Sequence, residues 1–252
     1  AYNVRNYGYM VFDTLLAMDE NLVVRPQMLE GWKISDDKLT YTFTLRDGLK
    51  FHGGAPVTSA DCIASLQRWA PKDAMGQKLF SLVKELKPVD DKSFTMVLSE
   101  PYGLVLESLG KPSSTVPFIM PKRVAYTPNN VQISDPTGSG PFVFRKDLWR
   151  PGEKTVYDKF KDYKPRAEPP SALSGGKNVY VDRVEWINIT DPQTAANALL
   201  TGEIDIIEQP LIEMLPLLEK DKNIEVKDLN PLGSQYSLRF NVLHKPFDNA
   251  RI

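Results

Sequence analysis

Leu39, Tyr41, Phe43 and Leu45 alternate with Thr40, Thr42, Thr44 and Arg46. A period of two makes a strand with one apolar face, and β-branched threonine suits the wetter side. Asp47-Gly48 then reverses the chain, because glycine tolerates a positive φ where a side chain would clash. Beyond Gly53-Gly54-Ala55-Pro56, Thr58 stands three residues before Asp61, the spacing of a capping box, so a helix starts there. Cys62, Leu66 and Trp69 follow at i, i+4 and i+7 and give that helix a face to bury. Strand, glycine turn and capped helix in this order require a core between them.

The run VFDTLLAMDENLVVRPQMLEGWKISDDKLTYTFTLRDGLKFHGGAPVTSADCIASLQRW, Val11 to Trp69, resembles the N-terminal part of the extracellular solute-binding proteins of peptide- and nickel-type ABC transporters, family 5. A pattern of the form "vyegLv…vvPaLAesW…dg.tytFhLRdgvkFhdG.p.tAeDV…sleR" recurs in that family. Further landmarks are similar along the chain. They are Thr137-Gly-Ser-Gly-Pro-Phe-Val-Phe144, the stretch from Glu153 to Arg166, the unit from Asp191 to Ile207, and LRFNVLHKPFDNARI at 238–252. The resemblance implies a periplasmic binding protein-like α/β fold (type II, cluster C-like) with mixed sheets flanked by helices. Family members run to roughly twice this length. Residues 1–252 therefore read as most of the N-terminal lobe of a two-lobed protein, with residues from about 30 to 140 as a sub-domain inserted in it and the second lobe absent.

Composition narrows the field independently. Hydrophobic residues form 42% of the chain, enough for a core. Lys and Arg total 31 against 32 Asp and Glu, and this balance argues against nucleic acid or an anionic membrane surface as the main partner. No run of 18 apolar residues occurs, so no segment reads as a membrane span. The single cysteine, Cys62, cannot form an internal disulfide and cannot make a metal site by itself. The first residues do not read as a signal peptide and Ala1-Tyr2-Asn3 is not a methionine start, so a mature or trimmed chain is expected.

In chain order, Tyr9, Phe12, Leu15 and Leu16 predict a helix within 2–16. Leu79, Leu82, Val83 and Leu86 predict a second helix, ended by Pro88. Phe94, Met96 and Leu98 predict a strand pairing with 39–46, and Pro101 to Gly110 a short helix. Trp32 reads as a core residue. The glycine turn at 137–140 feeds a strand; no helix follows, which sets it apart from a phosphate-binding loop. Residues 165–176 read as a surface loop, 179–189 as a strand, and Asp191-Pro192 as the cap and first residue of a helix ended by Gly202. Strands are expected at 203–207, 224–229 and 235–241, and a helix at 211–220 interrupted by Pro216.

Catalysis lacks candidates. His52 and His244 sit in no metal spacing, no Gly-x-Ser-x-Gly elbow occurs, and the pairs Asp36/Asp37, Asp90/Asp91 and Glu203/Asp205 read as solvated acids in turns or at a strand edge. Cys62 reads as a small buried hydrophobe. No catalytic residue, metal ligand or cofactor is expected, and the chain is not expected to be an enzyme. A hydrolase domain and a non-transport ligand sensor stand as the alternative readings.

The resemblance implies instead that loops of this lobe line one wall of a cleft: residues 4–7, 73–77, 111–115 and 138–140. The candidate ligand-binding residues are Arg5, Asn6, Tyr7, Met75, Gly76, Gln77, Ser113, Ser114, Gly140 and Tyr236. Arg5 suits a carboxylate through two parallel hydrogen bonds, and Met75 offers a flexible thioether. Each has a plainer reading, as a solvated terminal residue, a turn, a loop cap or core packing. The expected role is capture of a peptide or similar small solute by a monomer in the periplasm, or by an anchored lipoprotein outside a single-membrane bacterium. Delivery would be to the membrane permease of an ABC importer.

Overall fold

The computed structural model describes residues 2–112, 115–128, 130–229, 233 and 237–249, the side chains of 2–5 excepted. Two units divide the chain, Ala1–Asn188 and Ile189–Ile252.

The first unit begins with α1 (Tyr2–Val11), β1 (Asp13–Thr14), β2 (Leu16–Met18) and β3 (Val24–Pro26). Next come β4 (Leu29–Ile34), β5 (Thr40–Leu45), α2 (Ser59–Trp69), α3 (Ala74–Leu82), β6 (Val83–Pro88) and β7 (Ser93–Leu98). After α4 (Val105–Gly110), β8 (Phe118–Ile119) and α5 (Lys122–Ala125), the chain forms β9 (Phe142–Phe144), β10 (Lys154–Lys159) and β11 (Arg183–Ile187). The described strand pairings are all antiparallel, within a four-stranded sheet ordered β4-β5-β7-β6, a three-stranded sheet β11-β10-β9, and the pairs β1-β8 and β2-β3.

The alternation at 39–46 is the spine of the larger sheet. Tyr41, Phe43 and Leu45 are buried while the threonines between them are half-buried. Phe43 lies opposite Phe94 in the register, with ring centroids 5.1 Å apart. Each such side chain contributes about 1.5–3 kcal/mol on leaving water. Gly48 closes the turn with φ +79. α2 packs its Cys62–Leu66–Trp69 face on β6 and β7. Its start is fixed by Asp61, whose Oδ2 accepts from the Thr58 amide at 2.9 Å and from the Thr58 hydroxyl at 2.7 Å. Asp61 Oδ1 also accepts from the Lys122 amide at 2.7 Å and so holds α5 against the helix. Trp32 is half-buried against the same core. A second cluster, centred on Val11, Phe142 and Tyr157, joins α1 to the three-stranded sheet.

Four expectations change. α1 stops at Val11, because Asp13 pairs with Ile119 while Leu15 and Leu16 enter the large core. The helix before Pro88 runs from Ala74 to Leu82; Val83–Pro88 is a strand, drawn into register with β7. Within 165–176, Ser174 to Gly176 are buried rather than at the surface. In the second unit, α6 (Pro192–Leu200) is capped by Asp191 as expected, and α7 (Leu215–Leu218) follows a 3-10 turn with Pro216 in its first turn. No strand forms at 203–207, at 224–229 or among the described residues of 235–241. A strand is a paired object, and alternating apolar residues alone do not supply the neighbour.

Asp61→Ala removes a cap and leaves the Lys122 amide without its acceptor. It should lower stability by about 2 kcal/mol, seen as a lower urea midpoint at unchanged slope. An unchanged midpoint would show that neither contact matters.

Candidate functional site

The end of α1 meets the glycine turn at distances only glycine permits. A Cβ on Gly138 would lie 1.9 Å from the Val11 carbonyl oxygen, and one on Gly140 would lie 2.7 Å from the Phe12 nitrogen. Gly140 donates its amide to the Val11 carbonyl at 2.8 Å. Between them Ser139, nearly buried, accepts from the Asp13 amide at 3.0 Å and donates to the Ile119 carbonyl at 2.8 Å. The turn thus ties α1, β1 and β8 together. His52 grips its other side: its amide donates to the Gly138 carbonyl at 3.0 Å and its ring lies within hydrogen-bond reach of Gly138 and Gly140.

Asp13 is fully buried. Its carboxylate accepts from Lys177 Nζ at 2.7 Å, the Tyr163 hydroxyl at 2.7 Å and the Thr14 amide at 3.0 Å. Burial pushes its pKa up, yet the adjacent Lys177 charge and these hydrogen bonds outweigh burial and hold it below the ordinary 3.8. Burial and the Asp13 charge raise the Tyr163 phenol, which stays protonated and donates. The Lys177 ammonium also lies 5.5 Å from the Tyr9 ring centroid. Tyr163 and Lys177 face a cavity of about 240 Å³ that Lys159, Lys161, Asn178 and Tyr180 also line.

A second buried ion pair lies elsewhere in the unit. Lys111 Nζ meets Asp73 Oδ2 at 2.6 Å, with 14% and 7% of the two side chains exposed. Asp73 Oδ1 caps α3 by accepting from the Gly76 amide at 3.0 Å. Trp69 Nε1 donates to the Thr115 carbonyl at 3.0 Å, so Thr115 is bound to α2 while Lys111 is bound to the start of α3.

The expected ligand residues that the structure describes fall beside these two groups. Asn6 and Tyr7 lie on α1, both half-buried. The Tyr7 ring stands edge-on to Trp186 at 5.2 Å and near-parallel to Tyr157 at 6.2 Å. Arg5 is on the same helix, but its side chain lies outside the described residues. Met75, Gly76 and Gln77 occupy the first turn of α3 rather than a loop; Met75 is half-buried, Gly76 packs on Ala70 and Trp69, and Gln77 donates to the Pro71 carbonyl at 2.9 Å. Gly140 is buried in the glycine turn. Ser113, Ser114 and Tyr236 lie outside the described residues. The structure therefore brings α1 to the glycine turn and the α3 start to Lys111.

The acids read as solvated behave as turn residues. Asp37 accepts from Ser35 and the Leu39 amide, and Asp90 from the amides of Lys92 and Ser93. Cys62 is buried, and burial pushes its thiol pKa up, away from reactivity. Among the described residues no group of three His, Cys, Asp or Glu is placed to hold a metal, and no helix is long and apolar enough to cross a membrane.

A model of the bacterial extracellular solute-binding proteins, family 5 Middle, matches residues 23–252. The chain belongs to this family. It is 44% identical over 249 residues to the probable peptide ABC transporter periplasmic-binding protein y4tO of Sinorhizobium fredii, across 98% of this chain and 46% of that one. It superposes on the ABC transporter-associated periplasmic binding protein DppA from Helicobacter pylori, in complex with the peptide STSA, with TM-score 0.67 and 28% identity over 87% of this chain and 44% of that one. A dipeptide binding protein from a Pseudoalteromonas, in complex with Met-Leu, gives TM-score 0.73 at 20% identity over 96% and 49% of the two chains and shows the shared fold. The expected periplasmic binding protein-like α/β class, helices flanking sheets, is therefore the one found. The chain spans a little under half the length of the curated relatives it matches.

Asp13, Tyr163 and Lys177 were not among the residues expected to matter. Only one signal was available, an acid inside the apolar run VFDTLL; its lysine partner is 164 residues away behind a loop of solvent-like composition.

Lys177→Met leaves the Asp13 carboxylate buried without a cation and should cost about 3 kcal/mol at neutral pH. The lowered pKa of Asp13 means its contribution is present above about pH 4 and lost as pH falls through the folded value. In the variant that pKa rises, so its deficit should shrink between about pH 7 and pH 4 in urea unfolding. An equal deficit at both would assign Lys177 a packing role.

Proposed function

We propose that this chain is part of the substrate-binding component of an ABC importer, which captures a peptide or similar small solute and hands it unchanged to a membrane permease. The observation that carries this is the 44% identity across 98% of the chain to a probable peptide ABC transporter binding protein. The family description, extracellular solute-binding, supports a place in the periplasm or outside the cell.

On this reading residues 1–252 are most of the N-terminal lobe of a two-lobed monomer. The sheet β4-β5-β7-β6 and its core then belong to a sub-domain between about residues 30 and 140. Function is binding rather than catalysis: closure of two lobes buries the solute, and the binding free energy offsets the cost of the closed state. The wall of the first unit would comprise α1 with Arg5, Asn6 and Tyr7, the α3 turn with Met75, Gly76 and Gln77, and Gly140, with Ser113 and Ser114 as further candidates beside Lys111. Attachment of Lys111 to Asp73 at the α3 start, and of Gly140 to Val11 at the end of α1, supports the reading, because a preformed wall avoids part of the ordering cost of binding.

Native mass spectrometry of the full-length protein should find a co-purifying peptide or small solute, which calorimetry then titrates. Arg5→Ala and Met75→Ala should each weaken binding about tenfold, or 1.4 kcal/mol. Unchanged affinity in both would remove these two residues from the site, and turnover of peptide or ester substrates would remove the binding-only reading.

A further inference from the structure

We propose that His52 is a positioning residue for solute binding: its neutral ring clamps the Gly138–Gly140 turn onto the end of α1, and protonation of the ring opens the clamp. This rests on the reading that the turn forms part of the solute wall.

The geometry selects one form of the ring. Nδ1 lies 3.2 Å from the Gly138 nitrogen, a group that only donates, so Nδ1 must accept. Nε2 lies 3.1 Å from the Gly140 carbonyl oxygen, a group that only accepts, so Nε2 must carry the proton. The neutral Nε2–H tautomer alone satisfies both. The imidazolium would turn an N–H toward the Gly138 N–H, losing one bond and opposing two donors. Because the His52 amide also holds the Gly138 carbonyl, one residue makes three bonds to a three-residue turn.

The surroundings favour the neutral form. The ring is half-buried, with its edge on Phe160 at a centroid distance of 5.0 Å. Burial lowers its pKa below 6.5, against the smaller opposing effect of the Gly140 carbonyl. Charged groups on the elements around it are engaged elsewhere: Lys50 with Asp162 at 2.8 Å, Lys159 with the Val179 carbonyl, Asp135 with Arg123, and Asp13 with Lys177. Lys161, exposed and on the Phe160 loop, would only oppose a second positive charge. Acidification through the histidine range therefore protonates unclamped chains first, so the clamped population falls as pH drops below about 6.5. Release of the turn removes the Gly140 bond to Val11 and the Ser139 bond to Asp13, the contacts that fix the end of α1.

The test uses the full-length protein with hydrogen exchange over residues 137–144 and native mass spectrometry against a defined mixture of di- to tetrapeptides. His52→Phe keeps a ring against Phe160 and loses both side-chain bonds; His52→Gln can still donate to Gly140. At about pH 7.5, His52→Phe should speed exchange in the turn about tenfold with β5 unchanged, and His52→Gln should fall between. Wild type at about pH 5, corrected for intrinsic exchange, should move toward His52→Phe. Peptide affinity should drop about tenfold in His52→Phe and lose its dependence on pH in that range. Exchange equal to wild type overturns the clamp. Faster exchange with unchanged affinity, or a pH dependence that survives His52→Phe, overturns the role in binding. Wild type binding no peptide at all counts against the peptide reading, while the exchange arm still judges the clamp. Should His52→Phe fail to fold, His52→Gln and the ¹⁵N shifts of the wild-type ring decide; a proton on Nδ1 at neutral pH would overturn the proposal.

Discussion

Backbone-to-backbone contact between Val11–Phe12 and the Gly138–Gly140 turn is the constraint on which the rest of the first unit depends. A turn without side chains at two of three positions can sit on a helix end, and the intervening serine then reaches both β1 and β8. Residues more than a hundred positions apart are fixed to within a hydrogen bond. Everything downstream of that contact, including the burial of Asp13, follows from where α1 is made to stop.

Two mostly buried ion pairs extend the same logic. Asp13 with Lys177 and Asp73 with Lys111 each join a short element near the proposed wall to a distant loop. Buried pairs of this kind add little net stability, since desolvation consumes most of the Coulomb gain, but breaking one leaves a charge with no solvent. Their value is registry: a loop held by such a bond has one position. The large core under β5 and β7 does the opposite work, supplying non-directional stability through Phe43, Phe94, Met96 and their neighbours without choosing among loop positions.

Local signals were legible wherever the residues that decide a structure are adjacent. The β5 alternation, the Gly48 turn, the Thr58–Asp61 box and the Asp191-Pro192 start of α6 all appear where expected. Three of the failures share one cause. At 83–88, and again at 203–207 and 224–229, periodicity described a face without saying whether a strand lay alongside; β7 supplies one in the first case and turns an expected helix end into a strand. The loop 165–176 misled differently, because its polar composition hides the burial of Ser174 to Gly176 that carries Lys177 inward.

The sequence by itself determined the central strand pair β5–β7 and the capped helix, each written in contiguous residues whose spacing matches the period of the backbone they form, and its resemblance along the chain carried the family and the α/β class. Only the tertiary structure decided that Asp13, Tyr163 and Lys177 meet, that His52 faces the glycine turn, and that Lys111 belongs to Asp73. Those pairings join positions 38 to 164 residues apart, and a chain carries no local record of which distant charge its own fold will exclude from water alongside it.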